Sequence, residues 1–262
     1  MLKTLKNAFA DMGAGLQLRR VWVALASEDI GDQHRRTALG PFWLLLNYLV
    51  FAGTFIFLIR AGGDGYNYPA YVATGLFVWF YIMETVTASV SLFLREESFI
   101  KGTILPLSVY VMRMFMQSVI RAGYALLGCL IILALSGIGV SWMWLWSVLG
   151  IAVILLTVPA AILVFAFLGA FFPDSQFLVA NLMRVGMFLT PVFWTYEGTG
   201  GVRHFFYHWN PFTYYLELVR FPILWGQVPV TAFLLTGVIG LGLWLLALLL
   251  LGHLRRQVVF VL

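Results

Sequence analysis

Charged side chains are scarce in this chain: Asp, Glu, Lys and Arg make up 10% of its 262 residues. A soluble domain carries about 25%. Apolar residues reach 62%, against about 45–50% in soluble domains, so the chain reads as an integral membrane protein. Helices of about 20 residues each consume most of its length and leave no room for a soluble domain of ordinary size. There is one cysteine, Cys129, which excludes an internal disulfide; lying in an apolar run, it reads as packing. No Gly-x-x-x-x-Gly-Lys-Ser/Thr phosphate loop occurs, and the glycines at Gly62-Gly63 and Gly198–Gly201 lack the lysine, which excludes the usual way of binding ATP. His-Glu-x-x-His and Gly-x-Ser-x-Gly are both missing. His204 and His208 lie four apart with no third ligand near them in sequence, so no metal site is expected. No internal repeat is visible. Residues 1–15 lack the apolar core of a cleavable signal peptide, and none is expected. The net charge of +5 comes from basic residues gathered at membrane flanks and is no sign of a nucleic-acid partner.

What is present is a train of apolar runs. The residue pattern predicts an all-α polytopic membrane protein with six transmembrane helices, at about 40–59, 70–94, 108–135, 147–171, 177–194 and 229–251. Residues 1–38 form a separate segment ahead of the 39–262 membrane domain. There Leu16, Trp22, Val23, Leu25 and Ile30 alternate with Arg19, Arg20, Glu28 and Asp29. That pattern predicts an amphipathic helix in the membrane interface with Trp22 as its anchor; a short helix packed on a partner fits the same pattern. With the N-terminus inside, ten Lys and Arg (Lys3, Lys6, Arg19, Arg20, Arg35, Arg36, Arg95, Lys101, Arg255, Arg256) fall on the cytoplasmic side. Three (Arg60, Arg203, Arg220) fall outside. Both termini are therefore expected in the cytoplasm.

Several segments bear on function. In Arg35-Arg36-Thr37-Ala38-Leu39-Gly40-Pro41-Phe42-Trp43 two arginines flank the membrane, Pro41 suits a first helical turn, and Trp43 suits the headgroup level. By physics alone this is the start of a membrane helix. The connector from Arg95 to Pro106 carries Glu96, Glu97, Phe99, Ile100 and Lys101, polar outside with apolar residues between. Asp174, after Pro173, is placed to cap the fifth span. Pro191, late in that span, frees backbone groups that need partners in lipid. Beyond it comes Trp209-Asn210-Pro211-Phe212-Thr213-Tyr214-Tyr215-Leu216-Glu217-Leu218-Val219-Arg220, with the apolar spacing of a partly buried hairpin.

Polar residues inside the spans are costly and mark function by default. They are Glu84, then Arg113, Gln117 and Arg121 at four-residue spacing on one face, then Arg184. A structural pair of Glu84 with Arg121 or Arg184 is the competing expectation, and Arg113 could instead snorkel to the cytoplasmic side. Aromatics are 17% of the chain. Tyr48, Phe51, Trp79, Phe80 and Tyr81 could line a path for sugars, because ring faces suit the apolar faces of pyranoses; packing and interface anchoring are the plainer roles.

The Arg35–Trp43 segment, the charged connector, the Pro173-Asp174 turn and the Asn210-Pro211 hairpin occur in an order that resembles the permease subunits of polysaccharide-exporting type 2 ABC transporters. These proteins move lipid-linked O-antigen, capsule or teichoic acid chains. The resemblance implies that the 95–106 connector is a coupling helix docked on an ATPase subunit. It also implies that Asn210, Pro211, Glu217 and Arg220 belong to short re-entrant helices in the outer leaflet. Two copies would pair as a homodimer in the bacterial inner membrane, above two ATP-binding subunits that hold the ATP and Mg. The chain itself would hold no cofactor and would pass a lipid-linked glycan between the protomers. Two alternatives stay open at this point: a permease for a drug or small lipid, and an intramembrane enzyme acting on lipid-linked sugars.

Overall fold

A computed structural model describes residues 2–35, 37–59, 67–195 and 201–262. Arg36 and the 60–65 turn with Arg60 lie outside the described residues. Among the described residues every regular element is a helix. The order is α1 (Leu2–Gln17), α2 (Arg19–His34), α3 (Phe42–Ile59), α4 (Tyr68–Val90), α5 (Leu92–Arg95), α6 (Glu97–Gly102), α7 (Leu107–Leu135), α8 (Trp144–Phe171), α9 (Ser175–Leu189), α10 (Val202–Trp209), α11 (Pro211–Leu224) and α12 (Val230–Val261).

Four of these, α4, α7, α8 and α12, are long and apolar enough to cross a membrane; α3 and α9 are apolar but shorter. The chain is thus an all-α polytopic membrane protein. Helix α9 stops at Leu189, short of the expected 194, because Thr190 turns extended ahead of Pro191, whose predecessor is barred from helical backbone. Helix α12 runs on to Val261, past the expected 251, carrying Arg255 and Arg256 within it. Pro41 stands just ahead of α3, after Gly40 at φ 53°; glycine supplies that left-handed turn without strain.

Helix α8 is the hub and packs against α4, α11 and α12. Lipid gives no hydrophobic drive between helices, so close approach of small residues must supply the contact. A Cβ on Gly169 of α8 would lie 1.7 Å from the Val90 carbonyl oxygen at the end of α4. Only glycine permits that crossing.

The N-terminal segment is two helices rather than one. Helix α1 packs on α7 and α12, and α2 packs on α7. Buried Asp11 explains the first attachment. Its carboxylate accepts the Ser108 backbone N–H at 3.1 Å and an Arg255 Nη1–H at 3.1 Å, while Ser108 Oγ donates to the Asp11 carbonyl at 2.7 Å. Ser108 lies in the first turn of α7, where backbone N–H groups lack helical partners. Asp11 therefore caps α7 from another helix. Asp174, expected as the cap of α9, makes no side-chain cap bond and is exposed.

Candidate functional site

A cavity of about 1010 Å³ opens among α2, α3, α4, α7 and α9. Nine of the polar and aromatic residues expected within the spans line it, Tyr48, Phe51, Phe80, Tyr81, Glu84, Arg113, Gln117, Arg121 and Arg184, and Glu96 of the connector joins them. Trp79 does not; it is fully buried, its ring edge-on to Phe212 at 5.4 Å, and it packs α4 against α11. Hydroxyls from Thr85, Thr87, Ser91 and Ser118 share the wall with the aromatics.

One side of the cavity is ionic. Arg113 on α7 donates from Nε and Nη2 to the two carboxylate oxygens of Asp29 on α2, at 2.6 and 2.7 Å. Its Nη1 donates to Glu96 at 3.0 Å, and Gln117 also donates to Asp29. The fork of the guanidinium suits such paired recognition. Burial pushes the Asp29 carboxyl up, but the hydrogen bonds and charge of Arg113 outweigh it and hold it below the ordinary carboxylate range. One turn further, Arg121 pairs with Glu84 at 2.8 Å and with Gln33 at 3.0 Å. Glu84 thus takes Arg121 rather than Arg184. Arg184 faces the cavity from α9 and is exposed. Arg113 does not snorkel outward; it ties α2 to the charged connector.

The other side is aromatic. Phe80 meets Tyr48 edge-on at 6.3 Å and Phe51 at 4.9 Å; Phe51 meets Phe55 at 5.0 Å, and Phe55 stacks on Phe193 at 4.0 Å. The rings form a ladder from the cavity to the broken end of α9. Phe55 and Phe193 were not singled out from sequence, although Phe51 and Phe55 share the four-residue spacing of one helix face. Tyr48 donates to the Ala73 carbonyl at 2.7 Å, and Cys129 is buried.

Arg95 ends α5, and the connector beyond it folds as α6. Glu96 is buried against Arg113, and Lys101 bridges Glu97 at 2.7 Å on the surface. Phe99 is 58% exposed, but Ile100 is only 7% exposed and belongs to the core. Ile100 therefore offers nothing to a partner, while Ile104 and Leu105 stand exposed beside Phe99. Toward the N-terminus, Trp22 is half-buried, Trp43 is exposed, and Arg35 lies 3.7 Å from Asp32 at the surface.

At the far end, α10 and α11 form the hairpin. Asn210 Oδ1 accepts from the Phe212 N–H at 3.0 Å, with Pro211 at the first helical position, and Asn210 Nδ2 donates to Thr190 Oγ1 at 2.7 Å. Tyr207 donates to Glu217 at 2.6 Å. Arg220 is 3% exposed. Its guanidinium donates to the carbonyls of Pro191, Tyr71 and Val192 at 2.7, 3.1 and 3.3 Å, and lies 3.5 Å over the Tyr71 ring. Tyr71 adds bonds to Pro191 and Trp194 carbonyls. The backbone freed by Pro191 is thus satisfied by Arg220 and Tyr71. Gly75 makes the room, since a Cβ there would lie 2.1 Å from Arg220 Nη2.

Residues 20–224 match the family described as "ABC-2 type transporter". The chain belongs to that family. The match runs from α2 to α11 and so includes every residue lining the cavity and the whole hairpin. Membership makes the chain a transport subunit of the membrane, working with ATP-binding partner subunits. Two curated relatives from Klebsiella pneumoniae, each called O-antigen export system permease protein RfbA, are 26% identical over 174 residues. That covers 65% of this chain and 67% of each relative.

Proposed function

We propose that this chain is the membrane-spanning subunit of an ABC exporter for lipid-linked polysaccharide of the O-antigen kind. The carrying observation is the cavity wall. A large space lined by tyrosines, phenylalanines and hydroxyls together with arginines and carboxylates suits a glycan with an anionic lipid linkage better than an apolar drug. The printed function of the two relatives points the same way.

In this account α3 and α9 complete six spans, and both termini face the cytoplasm of the inner membrane. Helices α3 and α9 both line the cavity and both carry exposed apolar side chains, among them Val50, Phe57, Leu182 and Val185. A second copy would cover them and close the path. The ATPase subunits bind below, against α6 and the residues after it. The test is deletion of the gene. Loss of surface polysaccharide, with the lipid-linked glycan accumulating inside, supports the account. Unchanged surface glycan with altered drug or lipid efflux would transfer the protein to another cargo. Turnover of lipid-linked sugar by the purified chain alone would make it an enzyme.

A further inference from the structure

A second, smaller hollow, sharing no lining residue with the cavity, lies between the start of α1 and the end of α12. It measures about 230 Å³ and is lined by Asn7, Gly252, His253, Arg255 and Arg256. Arg255 is already oriented, since Nη1 donates to buried Asp11. Arg256 enters no ion pair among the described residues. Among the described residues the only carboxylate joined to these groups is Asp11, which Ser108 and Arg255 already occupy. The hollow is therefore positively charged and has a polar amide at its edge.

What lies along the helix from it narrows the occupant. At 3.6 residues per turn, Leu234, Val238, Leu241 and Leu245 fall on the same face of α12 as Gly252 and Arg256. All four are more than half exposed. The face is thus an open apolar stripe ending in a basic hollow. Such a hollow beside a membrane helix suits an anionic headgroup, and the stripe suits acyl chains. We infer that this groove holds one anionic phospholipid, its phosphate among Arg255, Arg256, His253 and Asn7 and its chains along α12. The lipid would pin α1 to α12 beside the Asp11–Arg255 contact. The inference does not depend on the cargo.

The test is native mass spectrometry of the full-length protein released from vesicles of equal phosphatidylglycerol and phosphatidylethanolamine. One phosphatidylglycerol retained in preference to phosphatidylethanolamine is the expected result. Arg256→Gln should weaken that retention by about fivefold, the worth of one basic side chain facing an anionic lipid. Asn7→Ala should weaken it less, and Lys101→Gln, which does not line the hollow, should leave it unchanged. All three positions are exposed, so each variant keeps the fold. Equal retention of the two lipids, or unchanged retention in Arg256→Gln, would overturn the inference. Displacement of the lipid by inorganic phosphate alone would also overturn it, because the hollow would then be a phosphate site without acyl contacts.

Discussion

Arg113 and Arg220 do opposite jobs with the same group. Arg113 joins carboxylates on two elements at the cavity edge, whereas Arg220 satisfies carbonyls at a broken helix end. Replacing Arg113 by Ala removes the guanidinium that joins Asp29 to Glu96 and leaves only the more distant Arg95, 3.9 Å from Glu96, as a cation near them. Charged hydrogen bonds contribute about 1.5–3 kcal/mol each, so the variant should lose at least about 2 kcal/mol, read as a lower melting temperature in detergent. Asp29→Asn adds a pH signature. The folded carboxyl lies below its ordinary range, so its contribution is present above the unfolded value of about 3.9 and is lost as pH falls through the folded value. The stability gap between wild type and Asp29→Asn should therefore hold from neutral pH to about pH 5 and close in stronger acid. A gap that is constant down to pH 2 would show that the charge is irrelevant. For Arg220→Gln, the Pro191 carbonyl keeps the Tyr71 hydroxyl, but the Val192 carbonyl loses its guanidinium donor at about 1–3 kcal/mol. Poor folding yield is expected, with the α10–α11 hairpin becoming sensitive to protease; normal yield and resistance would remove its role as a lock. The shared face of Arg113, Gln117 and Arg121 was legible from their spacing. The pairing of Arg121 with Glu84 was one of the two expected, but the Asp29 partner of Arg113 and Gln117 was not legible, since it lies 84 residues away from Arg113 and no local pattern encodes such a distance.

At the scale of elements, the long spans α4, α7, α8 and α12 were legible because hydrophobic length alone decides them. The end of α9 was less so, since it depends on where Pro191 stops the helix. The connector shows the limit most clearly. Six residues of α6 make under two turns, too short for periodicity to tell Ile100, which faces inward, from Phe99, which faces out. The structure therefore moves the proposed docking anchors to Phe99, Ile104 and Leu105. Phe99→Ala with Ile104→Ala should reduce co-purification of the ATPase while leaving the permease folded, because exposed apolar anchors dominate such contacts. Ile100→Ala should do the reverse: it empties a core position, costs about 2–5 kcal/mol, and lowers the melting temperature of the permease alone. Normal assembly in the double variant would make the connector a passive link.

For the whole molecule, the decisive fact is that side chains from five helices line one polar and aromatic space. An all-α membrane protein was evident from composition, and the cavity was foreshadowed by intramembrane charge. The part α2 plays in its wall was not legible, because α2 joins through ion pairs and not through an apolar pattern. The account stands or falls on vectorial movement through that space. The direct measurement is reconstitution of the purified chain with its ATP-binding subunit in proteoliposomes loaded with lipid-linked polysaccharide on the ATPase side. The account predicts ATP-dependent appearance of the glycan on the opposite side, absent when either subunit is left out. Glycan that stays in place while ATP is hydrolysed normally would contradict it.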